Sequence, residues 1–338
     1  MPRKGGWRRE GSRGRFRYLD ARGNRITDED SLERIKSLAI PPAWKDVWIS
    51  ANASSKLQAT GVDGAGRKQY LYHPSFRAQR EQEKYDKLIR FAEGLPDLRE
   101  AMAEHMDNDL LDRDRVSAIA TRLINRGWFR VGTERYAKES KTFGITTLRK
   151  NHVTVRGHRI AFHFRGKHRS EIRTILVDSE LAESVKELLA LPRGALLFRY
   201  EWDGALYALT GAKLNEYVRT NLGKDFTAKD FRTWTGTVLA AWALNDLGAF
   251  TSKREANRKI VAAVETVAQQ LGNTPAVCRA CYVHPDVFDA HLDGTLMTVL
   301  AENAADELNG NLQGLTRQEA AVLGLLSARL QTAAASAA

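Results

Sequence analysis

The segment Gly272-Asn273-Thr274-Pro275-Ala276-Val277-Cys278-Arg279-Ala280-Cys281-Tyr282 ends on a tyrosine, and three cations in patterned settings precede it: Arg130, Lys167 and Arg232. A phenol is a poor nucleophile at neutral pH, because its ordinary pKa is ~10. Cations that stabilise both the phenolate and an anion under attack make it useful. Two arginines, a lysine and the amide donor of Asn273 around one tyrosine therefore suit attack on a phosphodiester. Arg130 stands in Trp128-Phe129-Arg130-Val131-Gly132-Thr133-Glu134-Arg135-Tyr136, with Phe143-Gly144-Ile145-Thr146-Thr147-Leu148 a short way on. Arg232 stands in Lys229-Asp230-Phe231-Arg232-Thr233-Trp234, which opens a long apolar helical pattern.

The elements that must position these residues are legible in outline. Val116, Ile119, Ala120, Leu123 and Ile124 form a helical stripe that ends just before Arg130. Ile160, Phe162 and Phe164 alternate with Ala161, His163 and Arg165, Gly166 supplies a turn, and Ile172, Thr174 and Leu176 alternate again. That pattern predicts two strands joined by a turn that carries Lys167. From Ser179 to Leu330 helices dominate, the last opening on a capping box from Thr316 to Glu319, with the Ala/Ser tail beyond read as frayed.

Upstream, the first eighteen residues hold seven Arg or Lys and one acid, which reads as a flexible basic arm. Thr27-Asp28-Glu29-Asp30 reads as a capping box that opens a short helix ended by Pro41-Pro42. Trp44 to Tyr72 mixes aromatic and β-branched residues with glycine turn signals, so short strands are expected there. Trp44 and Trp48 are expected in the core of this small domain. A charged helical run from Arg80 to about Met106 follows, which places a boundary near residue 80. The fold expected is α+β: a β-rich domain over residues 1–80 and a mainly helical catalytic domain, with a short hairpin or sheet, over residues 81–338.

Composition agrees. Lys and Arg number 52 against 41 Asp and Glu, a formal charge of +11. A basic surface attracts polyanions, of which nucleic acid is the commonest inside cells. Two cysteines exclude a disulfide framework, and without a second pair Cys278-x-x-Cys281 does not read as a metal site. Both are expected to pack around the helix of Tyr282. No 18-residue apolar run occurs, so neither a membrane span nor a signal peptide is read, and a reduced, cytoplasmic setting is expected.

In this order and spacing the motifs resemble those of type IB DNA topoisomerases of the small poxvirus-like group, which also occurs in bacteria. The resemblance covers nearly the whole chain and implies the DNA-breaking-rejoining, tyrosine recombinase-like catalytic fold. It assigns the active site to Arg130, Lys167, Arg232 and Tyr282, and it places Asn273 where the viral pattern has histidine. Asn offers an N–H donor but neither positive charge nor titration, so the departure bears on speed and pH profile rather than on reaction type. Tyr282 would attack phosphorus and expel a 5′-hydroxyl. Arg130 and Arg232 would hold the non-bridging oxygens, Asn273 would add a donor, and Lys167 would protonate the leaving oxygen. Such a set needs no metal, cofactor or ATP, since the phosphotyrosine conserves the bond energy.

The resemblance extends to Ile40–Ile49 and Gly66–His73. It implies major-groove contacts by Gln69, Tyr70 and Tyr72, and a DNA contact by Tyr136 from the catalytic domain. Double-stranded DNA is the expected partner, gripped by a monomer whose two basic domains close as a clamp, with a nucleoid-associated location. Two alternatives compete. A site-specific tyrosine recombinase shares this chemistry, although it typically has His-x-x-Arg where this chain has Lys229-x-x-Arg232. A non-enzymatic architectural binder would shift DNA on gels without forming a covalent adduct.

Overall fold

The computed structural model describes residues 5–12, 14–306 and 314–337. The chain divides into two compact units after Tyr85, a point that falls inside helix α2 (Pro74–Glu93).

The first unit, over its described residues, is an antiparallel five-stranded sheet with helix α1 (Glu29–Ser37) and the first part of α2. Its strands are β1 (Trp7–Glu10), β2 (Arg17–Leu19), β3 (Lys45–Ile49), β4 (Leu57–Val62) and β5 (Lys68–Tyr72), in the order β2-β1-β3-β4-β5. The expected flexible arm is thus corrected over its described residues, where β1 and β2 extend the sheet; residues 1–4 and 13 lie outside the described set. The reason is packing: Trp7 and Tyr18 sit against the small core of Ile35, Val47, Ile49 and Ala59. Arg9 of that arm donates to the carbonyls of Pro41 (3.1 Å) and Trp44 (2.7 Å), so part of its charge serves the fold. Helix α1 (Glu29–Ser37) is capped by Asp28, which accepts from Ser31 N at 2.9 Å, one residue later than the expected Thr27. Trp44 packs on the core, whereas Trp48 is half-buried outside it.

The second unit is mainly helical. The charged run forms two helices, α2 and α3 (Leu95–Met106), because Gly94 and Pro96 interrupt it. There follow α4 (Arg113–Gly127), the short α5 (Glu134–Glu139), and a three-stranded antiparallel sheet of β6 (Val153–Arg156), β7 (Arg159–Arg165) and β8 (Glu171–Val177). Ile160, Phe162 and Phe164 point from β7 into the core, as their alternation requires. Helix α6 (Ser179–Ala190) precedes a hairpin, β9 (Arg199–Trp202) and β10 (Ala205–Ala208), that falls in a stretch expected to be helical. Among the described residues seven helices complete the unit: α7 (Gly211–Leu222), α8 (Ala228–Leu247), α9 (Lys253–Leu271), α10 (Pro275–Tyr282), α11 (Pro285–Leu292), α12 (Leu296–Asp306) and α13 (Arg317–Ala337). The capping box at α13 is formed, with Thr316 N donating to Glu319 Oε2 at 2.9 Å and Glu319 N to Thr316 Oγ1 at 3.2 Å. The helix continues through the tail expected to fray.

Candidate active site

Arg130 is presented by the end of α4. The helix stops at Trp128, which adopts a left-handed conformation (φ 56°), and the chain turns outward past buried Phe129. The following strap is pinned by its two glycines. A side chain on Gly132 would meet Thr147 Oγ1 at 2.7 Å, and one on Gly144 would meet the Arg130 carbonyl at 2.5 Å. That close approach lets Ile145 N donate to the Arg130 carbonyl (2.7 Å) and Thr146 N to that of Val131 (2.8 Å). The two segments quoted from the sequence, around Gly132 and Gly144, are therefore one structural device.

Arg232 lies in the first turns of α8. Asp230 fixes the start of that helix by accepting from Thr227 N at 2.8 Å and pairing with Lys87 at 2.8 Å. Arg232 is only 4 % exposed; it donates to the Trp128 carbonyl, and to the Leu271 carbonyl at 2.7 Å. Arg130 Nη2 donates to the next carbonyl, Gly272, at 2.8 Å and to Asn273 Oδ1 at 2.6 Å. Both guanidinium groups thus converge on the C-terminal carbonyls of α9, where a helix carries partial negative charge. Gly272 makes this possible: its left-handed φ of 59° ends α9, and Asn273 N folds back to the Ala268 carbonyl at 2.8 Å.

The same turn launches the tyrosine helix. Thr274 caps α10 and Pro275 occupies its first turn, which fits its fixed φ and missing N–H. Tyr282 is the last residue of this helix, its ring 5.3 Å from the Arg232 guanidinium. Helix α8 also holds its backbone: a side chain on Gly236 would meet the Tyr282 carbonyl at 2.5 Å, and Thr237 Oγ1 lies 3.5 Å from that oxygen. Neither Gly236 nor Thr237 was singled out from sequence. The usable signal was a glycine one turn after Arg232 inside an apolar helix.

Electrostatics show what this cluster lacks. Burial, reinforced by Arg130, pushes the Arg232 guanidinium down to about 10, while Tyr282 opposes the shift. Burial also lowers Arg130. Two adjacent, partly desolvated cations are costly unless an anion joins them. Two donors here, Arg232 Nε and Asn273 Nδ2, are buried without a hydrogen-bond partner. Unsatisfied buried donors are rare in folded proteins, and two of the four such atoms among the described residues belong to this cluster.

Lys167 sits in the β7–β8 turn, where His168 and Arg169 both take φ of 60° and Gly166 N donates to the Ser170 carbonyl at 2.7 Å. It is exposed and lines a cleft of about 170 Å³ together with Arg130, Arg232 and Gly272. The structure therefore brings four of the five expected catalytic residues into one cluster by direct contact: Arg130, Arg232, Asn273 and Tyr282. Lys167 joins across the cleft. Of the two cysteines, Cys278 is buried beside Arg232 as expected, but Cys281 is exposed. Among the described residues, no group of three or more His, Cys, Asp or Glu is placed to hold a metal ion.

The expected DNA contacts divide. Tyr70 and Tyr72 stack at 6.3 Å on the outer face of β5, 48 % and 43 % exposed. Gln69 alternates to the opposite face, where its amide donates to Asp63 at 2.8 Å. Tyr136 is exposed on α5 in the other unit. No helix among the described residues is long and apolar enough to cross a membrane.

Known proteins match most of the chain in sequence. Residues 73–295 match the family described as eukaryotic DNA topoisomerase I, catalytic core, and residues 15–63 match the bacterial DNA topoisomerase IB N-terminal domain. The DNA topoisomerase 1B of Acanthamoeba polyphaga mimivirus is 33% identical over 285 residues, covering 81% of this chain and 84% of the relative. The DNA topoisomerase 1B of Vaccinia virus (strain Copenhagen) is 22% identical over 293 residues, covering 84% and 90%. The DNA topoisomerase 1 of Schizosaccharomyces pombe is 28% identical over 178 residues, 51% of this chain and 20% of that longer protein. The chain belongs to the type IB DNA topoisomerases.

Proposed function

We propose that this topoisomerase relaxes duplex DNA through a 3′-phosphotyrosyl intermediate on Tyr282. The observation that carries the reading is the pairing of Arg130 and Arg232 at the end of α9, with two orphaned donors and the tyrosine beside them. A phosphodiester is an anion that suits both guanidinium groups. Its two non-bridging oxygens take the guanidinium groups, and Asn273 Nδ2 offers a further hydrogen bond. Tyr282 Oη attacks phosphorus, the bond to the 5′-oxygen breaks, and Lys167 gives that oxygen its proton. The cut strand then rotates about the intact one. Attack by the 5′-hydroxyl on the phosphotyrosine reverses the step and frees Tyr282. No ATP is required, because the energy of the broken bond is kept in the new ester.

In this reading the second unit adopts the DNA-breaking-rejoining fold, and the protein works as a monomer on nucleoid DNA with both units around the duplex. Tyr70, Tyr72 and Tyr136 meet the DNA. Gln69, on the opposite face of β5, would have to release Asp63 to reach a base. The test mixes the protein with supercoiled DNA in EDTA without ATP and stops the reaction with detergent. Relaxed topoisomers and a protein linked to the 3′ end are expected, and both should vanish in Tyr282→Phe while DNA binding persists. An adduct on the Phe variant would move the nucleophile elsewhere. Activity that requires a second DNA site would restore the recombinase alternative.

A further inference from the structure

Helix α10 carries both cysteines of the chain one turn apart, and the second directly precedes Tyr282. Cys278 is fully buried, and Cys281 is exposed. Burial pushes the Cys278 thiol up to about 11, and the neighbouring Cys281 adds to the rise against Arg232. A dissolved reagent therefore meets Cys281 first, with Cys278 behind it. Residues at i and i+3 share a helix face. Their Cα atoms are about 5 Å apart by helix geometry, within the range a disulfide accepts. Their Cβ atoms, at about 5–6 Å, are farther apart than the ~3.5–4.5 Å of a bridged pair. Closing the bridge must therefore distort the last turn of an eight-residue helix. That turn has no slack, since Gly236 already touches the Tyr282 backbone and a side chain there would overlap it.

We propose that Cys278 and Cys281 form a dithiol modification site that takes a low-molecular-weight disulfide, such as oxidised glutathione, and switches relaxation off when it closes. Cys281 sulfur attacks the reagent, forms a mixed disulfide and releases one thiol. Cys278 sulfur then attacks Cys281, forms the internal bridge and releases the second thiol. Two protein thiols are oxidised and one external disulfide is reduced. The loss of activity rests on Tyr282 as the nucleophile; the thiol chemistry does not.

The full-length protein is incubated with oxidised glutathione, then examined by intact mass and by relaxation, before and after dithiothreitol. The expected result is loss of two hydrogens with relaxation slowed about 10²-fold, the scale of an ångström-level misplacement, and recovery on reduction. Cys281→Ser should stay unmodified and active in the oxidant, and Cys278→Ser should stop at the mixed disulfide. Retention of both thiols, a stable glutathione adduct on the parent, or full activity after the bridge forms would overturn the proposal. Tyr282→Phe should close the bridge equally well by mass. Relaxation by that variant would instead indict the nucleophile assignment.

Discussion

Arg130 and Arg232 differ in what holds them, although both point at the same place. Arg232 is fixed by two backbone carbonyls, whereas Arg130 shares its grip between the Gly272 carbonyl and the Asn273 side chain. On the proposed reading Asn273 has two tasks, to orient Arg130 through Oδ1 and to offer Nδ2 to substrate. Replacing either arginine with alanine should slow single-turnover cleavage by ~10²–10³, the usual loss for one transition-state donor. Asn273→Ala should cost less, because a neutral amide gives a weaker bond and Arg130 keeps Gly272. A ranking with Asn273 above both arginines would contradict this account. Lys167 is tested by its substrate. If it protonates the departing 5′-oxygen, Lys167→Ala should cleave normal DNA slowly but cleave DNA with sulfur at that bridging position nearly as fast as the parent does. Sulfur leaves without a proton, since a thiol is far more acidic than an alcohol. Arg232→Ala should gain nothing from the sulfur; equal rescue of both would remove the acid role from Lys167.

At the scale of elements, the sequence displayed residues better than it displayed their supports. The α4 stripe, the β7–β8 turn and the Arg232 helix start were readable because each has a periodicity or a cap of its own. The β9–β10 hairpin was passed over, although Asp203-Gly204, both at positive φ, is a turn pair that favours tight hairpins. The arm at residues 5–19 looked flexible because charge dominates its composition; its pairing depends on distant partners that no local pattern reveals. The carbonyls of Trp128, Leu271 and Gly272 were equally invisible, since every residue has one. Gly236 carries the strongest consequence of this level. Gly236→Ala should push α10 away from α8, costing about 1–3 kcal/mol in denaturant unfolding, and should slow cleavage without weakening DNA binding. Normal cleavage would mean that Tyr282 tolerates the shift. Glu319 gives a pH test. Burial raises its carboxyl, but Arg99, the Thr316 amide and the Trp234 indole outweigh it and hold the group below its ordinary value. A carboxyl lowered in the folded state contributes stability above its unfolded pKa, about 4.3, and loses it as pH falls through the folded value. Glu319→Gln should therefore cost about 3 kcal/mol at pH 7, as for one partner removed from a buried pair. The gap from the parent should close below about pH 4; a gap independent of pH would assign the loss to packing alone.

Across the whole molecule, charge is unevenly shared. Residues 1–85 hold 18 Lys and Arg against 10 Asp and Glu, a surplus of +8 within a total of +11. A quarter of the chain thus carries most of the net positive charge, while in the second unit acids nearly balance the cations, many of which pair with them. Some of the first unit's charge is spent internally, as Arg9 and Arg34 show by donating to backbone carbonyls. Lys68 is exposed on the same face of β5 as Tyr70 and Tyr72, with its ammonium 5.8 Å from the Tyr70 ring centre. Charge and aromatic surface on that face make different predictions under salt. A lysine that neutralises one phosphate contributes about 0.9 to the slope of log K against log salt, because counterions are released. A tyrosine that meets a base or sugar releases none. Lys68→Ala should therefore weaken duplex binding most at low salt and flatten the slope by about 0.9. Tyr70→Ala should lower affinity by a similar factor at every salt concentration and leave the slope unchanged. The measurement is fluorescence anisotropy of a labelled duplex from low to high salt, with Tyr282→Phe as the background so that no covalent adduct forms. If neither substitution alters affinity or slope, the outer face of β5 does not meet DNA. The surplus charge of the first unit would then act only as long-range steering, seen as an association rate that is fast at low salt and falls as salt rises.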